Sequence, residues 1–349
     1  MESSSTTSRP DVGAVGVVVV GTGFIADLHL AALHAHPDAQ LIGVVDVVPA
    51  RAAAVARANG GVRCSTDLAE ALAWPGVHAA VVCTPNMTHA DIATRVAAAG
   101  KHLLIEKPLA VTAAQAAEVV DAHDRAGTTL MVAHTHRFYD YGRVVREQIT
   151  AGAVGTPRLI RLAILGGWIW PDWRGWNLDP ARSGGHALHN GVHLLDLVTW
   201  WIGQRPVSVY ARGAKQTSAH LDIYDHLDMV VRYEDGAVAI CEMSRGHRPQ
   251  TLSYRDVLVQ GGAGTLTVPW DGEASLVIDE RGPANLPIPG GDGFARQMAA
   301  WIAAVRGDAP APVSGADGML AVALGAAAER SMATGRPVPV ADILAEVTA

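Results

Sequence analysis

Three groups of residues in this chain have the types and spacing to act on a bound small molecule. The first closes the stretch KHLLIEKP, Lys101 to Pro108, where the apolar run His102 to Ile105 passes into Glu106, Lys107 and Pro108 with no turn residue between them. A charged pair is costly to desolvate at the carboxyl end of a buried parallel strand, and that edge is where open α/β sheets bind ligands. Lys107 is therefore the expected working centre; the alternative is a surface lysine that ends a strand. The second group is His186, His189, His193 and Asp196, spaced 3, 4 and 3 after a glycine-rich lead. That spacing predicts one polar stripe along a helix ending at Gly203, and imidazoles are suited to moving protons near neutral pH. The third group is Gly21-Thr22-Gly23-Phe24-Ile25-Ala26, with Asp46 twenty residues beyond Ala26.

The elements needed to position the third group surround it. Val15 to Val20 is a β-branched run that predicts a buried strand, and Phe24 to His36 reads as a helix stopped by Pro37. Gly21 and Gly23 allow a tight turn and close approach of backbone N–H groups to a pyrophosphate at the start of that helix. A second strand, Gln40 to Val45, delivers Asp46, placed to accept hydrogen bonds from a ribose 2′-hydroxyl and to repel a 2′-phosphate. Val47 and Val48 follow instead of a basic residue, so NAD is favoured over NADP. Phe24, Ile25 and Arg51, in the first turns of their helices, join the expected cofactor contacts.

The strand Ala79 to Cys83 runs into Thr84-Pro85-Asn86, and His89 opens the next helix. This loop should border the nicotinamide end of the cofactor, with Glu106 and Lys107 beside it. A helix from Thr112 to about Ala126 and a strand from Thr128 to Ala133 complete parallel βαβ units. His134, His136, Arg137 and Tyr139 then emerge at the same edge as Lys107; Arg137 and Tyr139 suit either substrate contact or domain packing.

A length of 349 residues favours two domains, and 49% hydrophobic with 17% charged residues fits a soluble enzyme. The formal charge of -7 argues against a nucleic-acid surface, and Val15 to Val20 is too short to span a bilayer. Three cysteines without CxxC spacing suggest a reducing, cytoplasmic setting.

The glycine turn, the Thr84-Pro85-Asn86 to His89 element and Glu106-Lys107-Pro108 resemble the glucose-fructose oxidoreductase, inositol dehydrogenase and rhizopine catabolism family, Gfo/Idh/MocA. The resemblance continues through the Gly155 region and Ser331 to Val340. It implies that Lys107 contacts the reacting hydroxyl, that Glu106 helps hold the site, that the Lys107-Pro108 bond is cis, and that His193 is the acid/base histidine. The chain departs from the family at His189, where Asp is common, and at His186, where the last glycine of a triple is usual. An aspartate would raise a neighbouring histidine's basicity, whereas a second imidazole opposes its protonation. The proton acceptor is thus left among His193, His189 and Lys107.

Beyond the turn Gly155-Thr156-Pro157, a strand from Arg158 to Leu165 leads to Gly167-Trp168-Ile169-Trp170-Pro171-Asp172-Trp173-Arg174-Gly175-Trp176. Four of the nine tryptophans fall here, as a sugar platform or as packing, with Asp172 or Arg174 near hydroxyls. His136, His186, His189, Asn190 and His193 complete the expected substrate contacts. Histidines at i, i+4 admit a metal, but no thiolate or intervening Glu assists them, so none is expected. Strands at Val207–Ala211, Asp228–Tyr233, Ala237–Met243, Val257–Gln260 and Thr265–Val268 predict a mainly antiparallel sheet, followed by helices at Phe294–Val305 and Gly318–Ala333.

The expected architecture is α/β: a lead at 1–13, an N-terminal Rossmann domain at 14–136, and a C-terminal α/β domain with an open, mainly antiparallel sheet at 137–349. The resemblance implies oligomerisation through that sheet as a homodimer or homotetramer. The expected reaction is hydride transfer between NAD and a secondary alcohol or ketone of a sugar, glycoside or cyclic polyol. A keto-sugar reductase, transient oxidation by tightly bound NAD and a non-catalytic sugar sensor are the alternatives.

Overall fold

The computed structural model describes residues 13–167, 175–249, 251–269 and 275–347. The first sheet comprises β1 (Val15–Val20), β2 (Ala39–Val45), β3 (Arg63–Ser65), β4 (Ala79–Val82), β5 (His102–Glu106) and β6 (Leu130–Ala133). Their order is β3-β2-β1-β4-β5-β6, with every pairing parallel. β1 is buried along its whole length, which suits its unbroken apolar sequence, because helices cover both faces of such a sheet. The short β3 has no sequence signature strong enough to stand out from a loop, and it pairs only at the sheet margin. Strand order reverses between β1 and β4, and this opens a crevice at their carboxyl ends.

The second sheet is built around β7 (Pro157–Gly167), with β8 (Pro206–Ala214), β9 (His226–Tyr233), β10 (Val238–His247), β11 (Ser253–Gly261), β12 (Thr265–Val268), β13 (Leu276–Asp279), β14 (Gly282–Asn285) and β15 (Val338–Pro339). The order is β14-β13-β12-β11-β7-β10-β9-β8-β15. Only β7 and β10 pair in parallel among the described residues; the other ladders are antiparallel. Period-two burial identifies the inner face, where Ala239, Cys241 and Met243 of β10 and Val257 and Val259 of β11 are buried. This face packs on the helix Val192–Ile202 and the long helix Gly315–Thr334.

The long helix joins the two cores. Ala321 and Val322 belong to the core of the first sheet, and Ala323, Leu324, Ala327 and Ala328 to that of the second. A reciprocal Ser314–Asp317 capping box fixes its start. The helix Gly293–Val305 also returns to the first core through Phe294, Met298, Trp301 and Ile302. Among the described residues, no helix is long and apolar enough to cross a membrane.

Candidate active site

The crevice between β1 and β4 has the form of a dinucleotide cradle. Gly21 has φ +87°, and a Cβ there would lie 2.6 Å from the carbonyl oxygen of Cys83, so the turn closes against β4 only as glycine. At Gly23 nothing lies within 4 Å of the corresponding position, and Gly23 precedes the helix Phe24–Ala35 without a side-chain cap. The helix therefore begins at the glycine turn, where the partial positive charge of its N-terminus suits an anion.

Asp46 stands alongside, its Oδ2 accepting from the Thr22 amide at 3.0 Å and the Thr22 hydroxyl at 2.7 Å. Oδ1 accepts from the Val48 amide at 2.8 Å and pairs with Arg51 Nη2 at 3.2 Å. Burial would raise this carboxyl, but the Thr22 and Val48 bonds and the Arg51 charge outweigh burial and lower it. Val47 and Val48 lie exposed beside Asp46, as does Phe24 at the glycine turn, leaving apolar surface next to the polar cradle. These features fit a dinucleotide.

The Thr84-Pro85-Asn86 loop sits at the end of β4. His89 is fully buried, with Nδ1 2.7 Å from the Pro108 carbonyl oxygen and Nε2 2.8 Å from that of Thr84. It ties the loop to the lysine segment rather than facing a ligand. The Lys107-Pro108 bond is cis. Asn86 donates to the Ser183 carbonyl at 2.8 Å and lies 3.2 Å from His189 Nδ1, so this loop also touches the second half of the chain.

Glu106 is buried, 2.8 Å from Nε2 of His29, a residue of the glycine-turn helix. Burial would raise its carboxyl; the His29 hydrogen bond and the charges of His29 and Lys107 prevail and lower it. Lys107 extends across the cleft and donates through Nζ to the His189 carbonyl oxygen at 2.8 Å. Burial lowers the ammonium to about 8, with Glu106 opposing that shift and Arg245 adding to it.

The opposite wall is rich in imidazole. His193 packs on His136 with ring centroids 4.4 Å apart, and His136 Nδ1 bonds to the Tyr141 hydroxyl. Tyr139 meets His136 edge-on at 5.4 Å. His186 Nδ1 bonds to the Tyr224 carbonyl, and Trp176 meets His189 edge-on at 5.2 Å. Burial, followed by the charge of Lys107, pushes His189 and His193 well below the ordinary imidazole value, so both are neutral at pH 7. A neutral His189 that accepts the Asn86 amide at Nδ1 carries its proton on Nε2. Asn190 is buried in the same turn.

One expectation is corrected here. The four residues from His186 to Asp196 do not form one helical stripe, because Ala187–Gly191 is a π turn and the regular helix begins at Val192. The wider turn shifts the phase of His186 and His189 relative to His193, and Asp196, on the regular helix, pairs with Arg137. Arg137 gives Nε to Asp196 Oδ2 at 2.8 Å and Nη2 to Asp196 Oδ1 at 2.6 Å, with Asp317 at 3.1 Å. Its fork is thus engaged between the two sheets, which fits the packing role of the two expected for it. Trp168, Trp170, Asp172, Trp173 and Arg174 fall outside the described residues, as do residues 1–12 of the lead.

The structure adds residues not read from the sequence. β10 continues past Met243 and β11 begins before Val257, and these extensions carry Arg245 and Arg255 to the cleft end of the inner face. The column Ala239, Cys241, Met243, Arg245 keeps its alternation, which is the signal that could have found Arg245. Glu329 caps the π turn, accepting from the Ala187 amide at 2.6 Å, and burial raises its carboxyl to about 7. Its partner in sequence is too distant to be legible.

Family comparison accords with this geometry. A model described as the oxidoreductase family, NAD-binding Rossmann fold, matches residues 15–134, and the family's C-terminal α/β domain matches residues 146–340. The chain belongs to the Gfo/Idh/MocA oxidoreductase family. It is 30% identical to an inositol 2-dehydrogenase of Rubrobacter xylanophilus, covering 94% of each chain. It is 28% identical to an inositol 2-dehydrogenase of Rhizobium meliloti, covering 93% of this chain and 98% of the relative. The structure of GenD2 from gentamicin A biosynthesis, in complex with NAD, superimposes with a TM-score of 0.82 at 29% identity, covering 94% and 97%. As a Gfo/Idh/MocA member the protein is an oxidoreductase acting on CH–OH groups through an NAD-binding Rossmann domain.

Proposed function

We propose that the protein transfers hydride between NAD and a secondary carbinol, or its ketone, of a sugar, glycoside or cyclic polyol. Residues 14–136 would supply the cofactor domain and 137–349 the substrate domain. The observation that carries this reading is the Lys107 ammonium, which spans the cleft to the His189 carbonyl with its proton affinity lowered to about 8. Such a group can hold a substrate oxygen as an ammonium and accept its proton as an amine. His193, neutral and packed at a tilt against His136, serves as the neighbouring acid/base. His189 contributes its backbone carbonyl to Lys107 and its Nε2–H to the cleft, which gives a physical role to the position where the family commonly has Asp.

When bound, the nicotinamide accepts or supplies the hydride. Gly21 and Gly23 admit the pyrophosphate to the helix terminus, and Thr84, Pro85 and Asn86 border the nicotinamide end. Asp46 supports NAD over NADP. Four donors already engage its carboxylate, and Arg51, more than half exposed and at 3.2 Å, is the donor best able to yield to a ribose hydroxyl. The test is a panel of sugars, glycosides and inositols assayed with each cofactor. The expected result is NAD reduction by a subset of the panel and little with NADP; a preference for NADP would overturn the cofactor assignment.

A further inference from the structure

The second-domain wall holds a cation that the reaction above does not require. On β10, Ala239, Cys241 and Met243 point into the core and Arg245 continues their column beyond it. Gly166 on the adjacent β7 makes room for it, since a Cβ there would lie 2.9 Å from Arg245 Nη1. Among the described residues the guanidinium makes no hydrogen bond or ion pair, and its Nε is buried without a partner. Burial lowers it to about 10, and among the described residues no carboxylate acts in the other direction.

Arg245 is nonetheless within electrostatic reach of the reaction centre. Its charge depresses the proton affinity of Lys107, His136, His186, His189 and His193, groups contributed by both halves of the chain. Arg255, on β11, lies behind them with its guanidinium carbon 3.8 Å from the Tyr141 ring centroid and its Nε also unpartnered. The nearby acids are engaged elsewhere: Glu106 by His29, and Asp225 by the Gln216 and Thr217 amides. Among the described residues this end of the cleft thus holds the charges of Lys107, Arg245 and Arg255, neutral imidazoles and no spare carboxylate, in a chain whose formal charge is -7.

We propose that Arg245 anchors a carboxylate on the substrate, so that the molecule turned over is the acid of a sugar or cyclic polyol rather than its neutral parent. The inference rests on the oxidoreductase reading and names its substrate class. A neutral hydroxyl would leave the guanidinium charge uncompensated in the filled cleft. A planar carboxylate matches its fork with two parallel N–H···O bonds and restores charge balance beside Lys107. A phosphate ester carries more charge and more acceptor oxygens than one fork satisfies.

Calorimetric titration of the NADH-loaded protein tests this without requiring turnover. The probes are D-glucuronate, D-galacturonate and D-gluconate, set against D-glucose, D-galactose, myo-inositol and D-glucose 6-phosphate. At least one acid should bind about 100-fold more tightly than its neutral parent, as expected for a desolvated charge pair. Arg245→Gln should abolish that advantage and Arg245→Lys should retain part of it. Melting of ligand-free Arg245→Gln should show no loss of stability, because that substitution removes an uncompensated charge. Failure of all three acids to bind, equal binding by the neutral parents, an undiminished advantage in Arg245→Gln, or tighter binding by the 6-phosphate would each overturn the proposal. NAD reduction is assayed separately: an acid that binds through Arg245 and never reduces NAD counts against the oxidoreductase reading and leaves the carboxylate site standing.

Discussion

On the first-domain wall of the cleft each buried charge meets a partner within the fold. Asp46 is held by Thr22, Val48 and Arg51, and Glu106 by His29. On the second-domain wall, His189 and His193 are kept neutral by burial, and the Arg245 and Arg255 Nε groups lack partners. The contrast separates two tasks. A cofactor wall with its polar groups already fixed needs little reorganisation when a dinucleotide arrives. A substrate wall with unmet donors is completed only by a ligand that supplies the missing acceptors, and this makes it selective. Lys107 belongs to the first wall by sequence and to the second by its hydrogen bond.

The sharpest way to break this contrast is at Lys107. Lys107→Met should lower kcat/KM by about a thousand-fold, within the range for loss of an acid/base group, while NAD affinity changes little. Loss of NAD binding as well would mean that the lysine belongs to the cofactor wall alone. Arg137→Leu should leave Asp196 buried without its partner and cost about 3 kcal/mol of folding stability, measured by urea denaturation. Unchanged stability with a raised KM would return Arg137 to the substrate set. Asp46→Ala should weaken NAD by about tenfold, equivalent to one charge-assisted hydrogen bond, and free Arg51 to receive a 2′-phosphate. A cofactor preference that stays unchanged would show that the acid does not read the ribose.

The first half of the fold was legible because its signals are local. A β-branched run, a glycine turn, a helix and an acid occur in chain order, and each is set by neighbours within about twenty residues. The Lys107 segment was legible for the same reason. The second wall was less so: the phase of His186 to Asp196 depends on a π turn that no spacing rule signals, and on Glu329, 142 residues from the amide that it caps. Arg245 escaped because an arginine after an alternating apolar strand ordinarily marks the strand's end. Here the ladder with β7 resumes beyond it, after a register shift, at His247 and Gly167. Arg137 could be read either way from sequence, since its choice of Asp196 depends on how the two sheets meet.

The measurement that bears most directly on the account is the pH dependence of NAD reduction. Burial disfavours the Lys107 ammonium, so the lysine should release its proton near pH 8 rather than in the ordinary lysine range. Below that pH it is charged and cannot take the hydroxyl proton; above it, the free amine can. For oxidation, kcat/KM should rise through about pH 8 as a single-proton step, and Lys107→Met should remove the step along with most of the activity. A step that persists in Lys107→Met, or a profile that is flat across this range in the wild-type protein, would contradict it.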